Sequence, residues 1–187
     1  MLIFSSTTMD LTQPLVMLGL IAVIAFVDLT SALAQAAQTA PLVITALATA
    51  LAMISLGGGF YEVTVVDPAW PRKPALVQPE HGGISRKRFW IPAHVAFELS
   101  LFVSLYLLWS APGARFWLLV AFASHAVMRL WSAFDFIPKA LAFERADPAN
   151  VTESAARRWV SRSRLRLPLD FVTCGAMLAA FAAAARL

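Results

Sequence analysis

Residues Leu42 to Trp70 read LVITALATALAMISLGGGFYEVTVVDPAW. A long uncharged apolar run closes on Glu62, a carboxylate at a position where hydrocarbon would otherwise be expected. A run of this kind is read as a membrane-spanning helix, which needs roughly 20 apolar residues to cross about 30 Å of hydrocarbon. The Val and Thr residues of Glu62–Val66 favour strands taken alone, but they do not override an apolar run of this length.

Composition agrees with that reading. Of the 187 residues, 59% are hydrophobic and only 14% charged, and the mean hydropathy is +0.70, well outside the range of an ordinary soluble domain. The expectation is an all-α integral membrane bundle in a single transmembrane domain, 1–187. It has a four-helix core and one additional N-terminal helix, with segments near 14–35, 42–66, 91–110, 116–138 and 167–185. The unbroken apolar runs argue against a barrel, whose strands alternate with period two. Small residues in Ser31–Gln38 resemble a signal-peptidase site, but no Lys or Arg precedes them and Asp10 does, so a retained helix is expected.

Basic residues cluster in two connections, expected as loops at 67–90 and 139–166. Arg72, Lys73, Arg86, Lys87 and Arg88 lie in the first, and Lys139, Arg145, Arg157, Arg158, Arg162, Arg164 and Arg166 in the second. By the positive-inside rule both face the cytoplasm, which places the N-terminus inside and fits a bacterial inner (plasma) membrane. A pI near 9.8 is then accounted for by a rim facing anionic lipid, and no nucleic-acid partner is called for. The lone Cys174 excludes a cysteine redox pair. Asn150-Val151-Thr152 is a sequon on the side assigned to the cytoplasm. Gly57, Gly58 and Gly59 are expected to permit close helix contact or a kink rather than to cradle a nucleotide.

Ionisable residues in spanning helices are costly and tend to face one another. Glu62, His94, Glu98, Asp135 and Asp170 are expected at one level. His94 and Glu98, four apart, share a helix face, as do His125 and Arg129, which are expected deeper. Glu98 with Arg129 also reads as a structural ion pair, and Trp70, Trp90, Trp131 and Trp159 as an interfacial aromatic belt. A metal is not expected: Glu-x-x-His is absent, His81 lies in a glycine-containing loop, and His125 sits on a different helix from His94 and Glu98. A haem between His94 and His125 is set aside because their depths are expected to differ. Acid–base chemistry on an apolar compound remains, with a desolvated carboxylate beside a histidine.

Tyr61-Glu62 followed by Pro68-Ala69-Trp70 resembles a helix-end pattern of the anthrone-oxygenase-like family of small membrane proteins. Phe134–Glu144 is similar to that family's fourth-helix exit and Ala156–Asp170 to the entry of its last helix. The resemblance covers about residues 57–187. Ser163 stands where relatives often have His, and Lys139-Ala140 where an Asn is common. The resemblance implies a cofactor-independent monooxygenase that removes a proton from a hydrophobic aromatic or polycyclic molecule and lets the carbanion react with O2. It implies Glu62 or His94 as base, Glu98 as orienting partner, and Arg129 or Arg166 as stabiliser of the enolate oxygen. Tyr61, Trp70, Trp90, His125, Trp131, Asp135 and Trp159 would line the substrate site. The His-x-x-x-Glu of residues 94–98 is also similar to membrane isomerases that move a proton across a double bond. A non-catalytic small-molecule binding or transport protein is the third reading, and the absence of an internal repeat leaves room for a homo-oligomer.

Overall fold

The computed structural model describes residues 12–187, and among them every regular element is helical. Helix α1 spans Thr12–Tyr61, α2 Lys87–Leu107, α3 Pro112–Trp131, α4 Ile137–Arg145, α5 Glu153–Ser163 and α6 Leu167–Ala184. Two π-helical turns, Glu62–Val66 and Ser132–Phe136, follow α1 and α3. Short 3-10 turns build the connections. Four helical stretches are long and apolar enough to cross a membrane: Ile21–Val66, Lys87–Leu107, Pro112–Arg145 and Glu153–Ala184.

The five expected segments thus become four candidate spans, because 14–35 and 42–66 fall within one helix. The connecting residues Gln35–Thr39 carry no glycine or asparagine of the kind that ends a helix. The chain divides into two compact units, Met1–Ala40 and Pro41–Leu187. The first is helical from Thr12 onward and carries Asp28 as its one charge among the described residues. The second contains all the side chains discussed below.

The second unit has two cores. One joins Ala48 and Ala52 of α1, Phe97 and Leu101 of α2, Leu118 and Ala121 of α3, and Met177 and Ala180 of α6. The many alanines let the backbones come close, the arrangement small residues favour between apolar helices. Polar side chains stitch these helices together: Thr49 donates to the Met177 carbonyl at 3.2 Å and Ser124 to the Leu169 carbonyl at 2.8 Å. At Gly58 a Cβ would stand 2.4 Å from the Phe89 ring, so this glycine is what lets α1 and α2 approach. Cys174 is buried in the same core.

The second core lies in the connections. The expected loops 67–90 and 139–166 turn out to be largely helical, through the 3-10 turns, the end of α4 and the whole of α5. Trp70, Val77, Phe136, Ala156, Trp159 and Val160 are buried together. Trp70 packs on Phe143 and Trp159 with ring centroids 5.4 and 5.8 Å apart. Gln78 is fully buried and donates to the Phe143 and Ala146 carbonyls at 2.7 and 2.8 Å, tying the first connection to the end of α4. Composition hid this layer, since many charged residues surround a few buried aromatic rings. Thr152 of the sequon is the N-cap of α5, accepting from Ala155 N.

Candidate functional site

Two helices joined by a short turn are antiparallel neighbours, and α2 and α3 are linked only through Leu108–Ala111. His94 lies fifteen residues before Trp109 and His125 fifteen after Ser110, so the hairpin brings them level. Their ring centroids are 5.6 Å apart. The expected difference in depth does not hold: it was counted from helix ends, whereas the turn sets the register.

Around this pair the i, i+4 partners close the cluster. Glu98 Oε1 forms an ion pair with Arg129, 2.8 Å from its Nε, and lies 3.1 Å from His125 Nε2. The Glu98–Arg129 pair expected from the sequence is therefore formed, and Glu98, expected to orient the base at His94 or Glu62, contacts His125 and Arg129. His125 is held from its other side by an edge-to-face contact with Phe97, centroids 4.8 Å apart. His94 and His125 are buried, and His94 Nδ1 has no hydrogen-bond partner. One donor atom from each of His94, Glu98 and His125 lies within 4.8 Å of the others. The separation of His125 from the other two in sequence, which argued against a metal, is thereby overcome in space.

Trp90 connects this cluster to a second one. Its ring stacks on His94, centroids 5.3 Å apart and planes within 20°, while its indole N–H donates to Glu62 Oε1 at 3.4 Å. Glu62 Oε2 lies 3.8 Å from Arg86 Nη1. The π turn that begins at Glu62 brings Asp67 round behind it, with Asp67 N bonded to the Glu62 carbonyl at 2.8 Å. Asp67 is buried, accepts from Trp70 Nε1 at 3.3 Å and stands 3.9 Å from Arg164. Burial first, and the nearby Glu62 second, push its carboxyl up to about 6, against the opposing pull of Trp70, Arg164 and Arg86.

The other expected residues serve different sites. Asp135 is bound by Lys139 and Arg162 rather than joining Glu62. Arg166 donates to Ser132 Oγ at 2.8 Å and lies 4.5 Å over the Phe136 ring. Trp159 donates to the Phe136 carbonyl and, like Trp70, is a core residue of the outer layer. Trp131 packs on Phe136, and Tyr61 is exposed. A cleft of about 270 Å³ opens among Asp135, Lys139, Phe143, Arg158, Trp159 and Arg162, away from the histidines.

Asp67 and Arg86 were missed as site residues. The signal for Arg86 was weak, a charge among other loop charges, but Asp67 lies five residues beyond Glu62, the spacing that a π turn aligns. No protein-family model, curated protein or solved structure matches this chain.

Proposed function

We propose that the protein is a membrane-embedded oxidoreductase acting on a hydrophobic, aromatic small molecule, with the four candidate spans crossing a bacterial plasma membrane and the two basic connections on the cytoplasmic side. The observation that carries this reading is the linked set Glu62, Trp90, His94, His125, Glu98 and Arg129, polar groups gathered inside helices apolar enough to cross a bilayer. Such gatherings are expensive and mark function.

In this reading Glu62 accepts the proton from an activated ring methylene. Its contacts are long, at 3.4 and 3.8 Å, so its carboxylate keeps capacity to accept, whereas Glu98 is engaged at 2.8 and 3.1 Å. Arg129 supplies positive charge toward an enolate oxygen. The overall change, CH2 plus O2 giving C=O plus water, balances without an external reductant. The Glu98–His125 contact favours one second reading, a simple proton shuttle of the isomerase kind.

Oxygen uptake by the purified protein with anthrone, against a heat-denatured control, tests this. Glu62→Gln should slow uptake by roughly 100- to 10,000-fold, the range expected for a general base, with thermal unfolding in detergent unchanged. Solvent-deuterium exchange into the substrate without oxygen uptake would transfer the assignment to the isomerase reading. A folded protein that does neither would end both.

A further inference from the structure

The structure assigns a second property to the α2–α3 cluster: we propose that His94, Glu98 and His125 bind a divalent first-row transition metal ion, with iron(II) the best match to the donor set. Two imidazoles and one carboxylate on one side of a metal, leaving other positions open, form the triad used by non-haem iron proteins that handle oxygen. The inference goes beyond the activity proposed above and does not depend on it.

Three observations carry it. The first is distance. Donors about 2.1 Å from a metal and at right angles to one another are about 3.0 Å apart, and His125 Nε2 and Glu98 Oε1 are separated by 3.1 Å. The third donor, from His94, falls within the same 4.8 Å set. The second is the state of His94. Buried polar atoms nearly always have partners, yet His94 Nδ1 is buried with none, beside the Trp90 ring that fixes its plane. The Glu98–Arg129 ion pair accounts for Glu98 alone and leaves this nitrogen unexplained. The third is the outer support. Ligating carboxylates are braced by neighbouring groups, and Arg129 on α3 forms an ion pair with Glu98, its Nε 2.8 Å from Oε1.

The sequence supplies these donors economically. His94 and Glu98 are one turn apart on α2, and His125 and Arg129 one turn apart on α3, so one hairpin provides every donor and its support.

The test uses the full chain in detergent, stripped with a chelator and titrated with cobalt(II), whose visible bands report its ligands, and separately with iron(II) under anaerobic conditions. The expected result is about one ion per chain, an increase in melting temperature on metal addition, and histidine coordination in the X-ray absorption spectrum. His94→Asn and His125→Asn should each weaken cobalt binding by more than about tenfold, beyond the lower limit seen for losing a mere supporting group. If those variants fail to fold, the absorption spectrum of the wild-type chain decides: two imidazoles on the ion support the site, and none overturns it. No binding by the wild-type protein, or equal binding by folded His94→Asn and His125→Asn, also overturns it. Oxygen uptake by a wild-type protein that binds no metal would leave the proposed activity standing while this site falls. Metal bound without any turnover would do the reverse.

Discussion

The Trp90 ring lies on the His94 imidazole with centroids 5.3 Å apart and planes within 20° of parallel, and its N–H reaches back to Glu62 at 3.4 Å. One side chain therefore fixes the position of a histidine on its own helix and of a carboxylate at the exit of α1. Trp90→Phe keeps a stacking ring and removes the donor, while Trp90→Leu removes both. Trp90→Leu should be less stable than Trp90→Phe by about 1 kcal/mol, the usual worth of an aromatic contact. Equal melting in detergent would mean that the stack contributes nothing.

Glu98 and Arg129 meet across α2 and α3 at 2.8 Å, in a place where either charge left alone lacks its partner. The double variant Glu98→Gln with Arg129→Gln should lose less stability than the two single losses added together, with a coupling of about 1–3 kcal/mol in a double-mutant cycle. Unfolding data that add to within about 0.5 kcal/mol would show the pair to be idle.

Asp67 sets a pH dependence with a definite sign. Its folded carboxyl is raised from the usual 3.8 to about 6, so between those values the folded chain holds more proton than the unfolded one. Stability should fall as pH rises from about 4 to about 6 and level off above, by a total of about 3 kcal/mol for two pKa units. Asp67→Asn should flatten that slope and be the more stable form at pH 7. An unchanged slope in the Asn variant would assign the dependence to another group.

The three consecutive glycines are not equivalent. A methyl at Gly57 meets nothing within 4 Å, whereas at Gly58 it would fall 2.4 Å from Phe89 and 3.3 Å from Trp90. Gly57→Ala should stabilise by about 0.5–1 kcal/mol through helix propensity alone. Gly58→Ala should cost about 1–3 kcal/mol as overpacking, and it should disturb the Trp90 stack as well. Similar melting temperatures for the two variants would contradict the close approach of α1 and α2.

The helical class and the apolar spans were legible in the sequence, because hydropathy is a local signal, and Glu98 and Arg129 stood out as opposite charges on two neighbouring apolar helices. The His94–His125 contact was written there too, as equal distances from the turn at residues 108–111, but counting depth from the outer ends of the segments concealed it. The second core was not legible. Arg86 lies over Trp159 at 5.2 Å, and a connection rich in arginine reads as a solvated loop until the rings beneath the charges are seen.

The widened turns at Glu62–Val66 and Ser132–Phe136 have a consequence for how this chain can change length. A π turn holds one residue more than the α-turn it replaces, so the residues on either side already face as they would in a regular helix one residue shorter. Elsewhere in α2 or α3, loss of a single residue would rotate everything beyond it by about 100° and scatter the His94 and His125 faces. Within Glu62–Val66 or Ser132–Phe136, the same loss would close the turn and leave both flanks aimed as before, removing only the outward swing that now carries Glu62 toward Trp90 and Asp135 toward Arg162. Among the described residues, each of the two π turns holds one carboxylate, Glu62 in the first and Asp135 in the second.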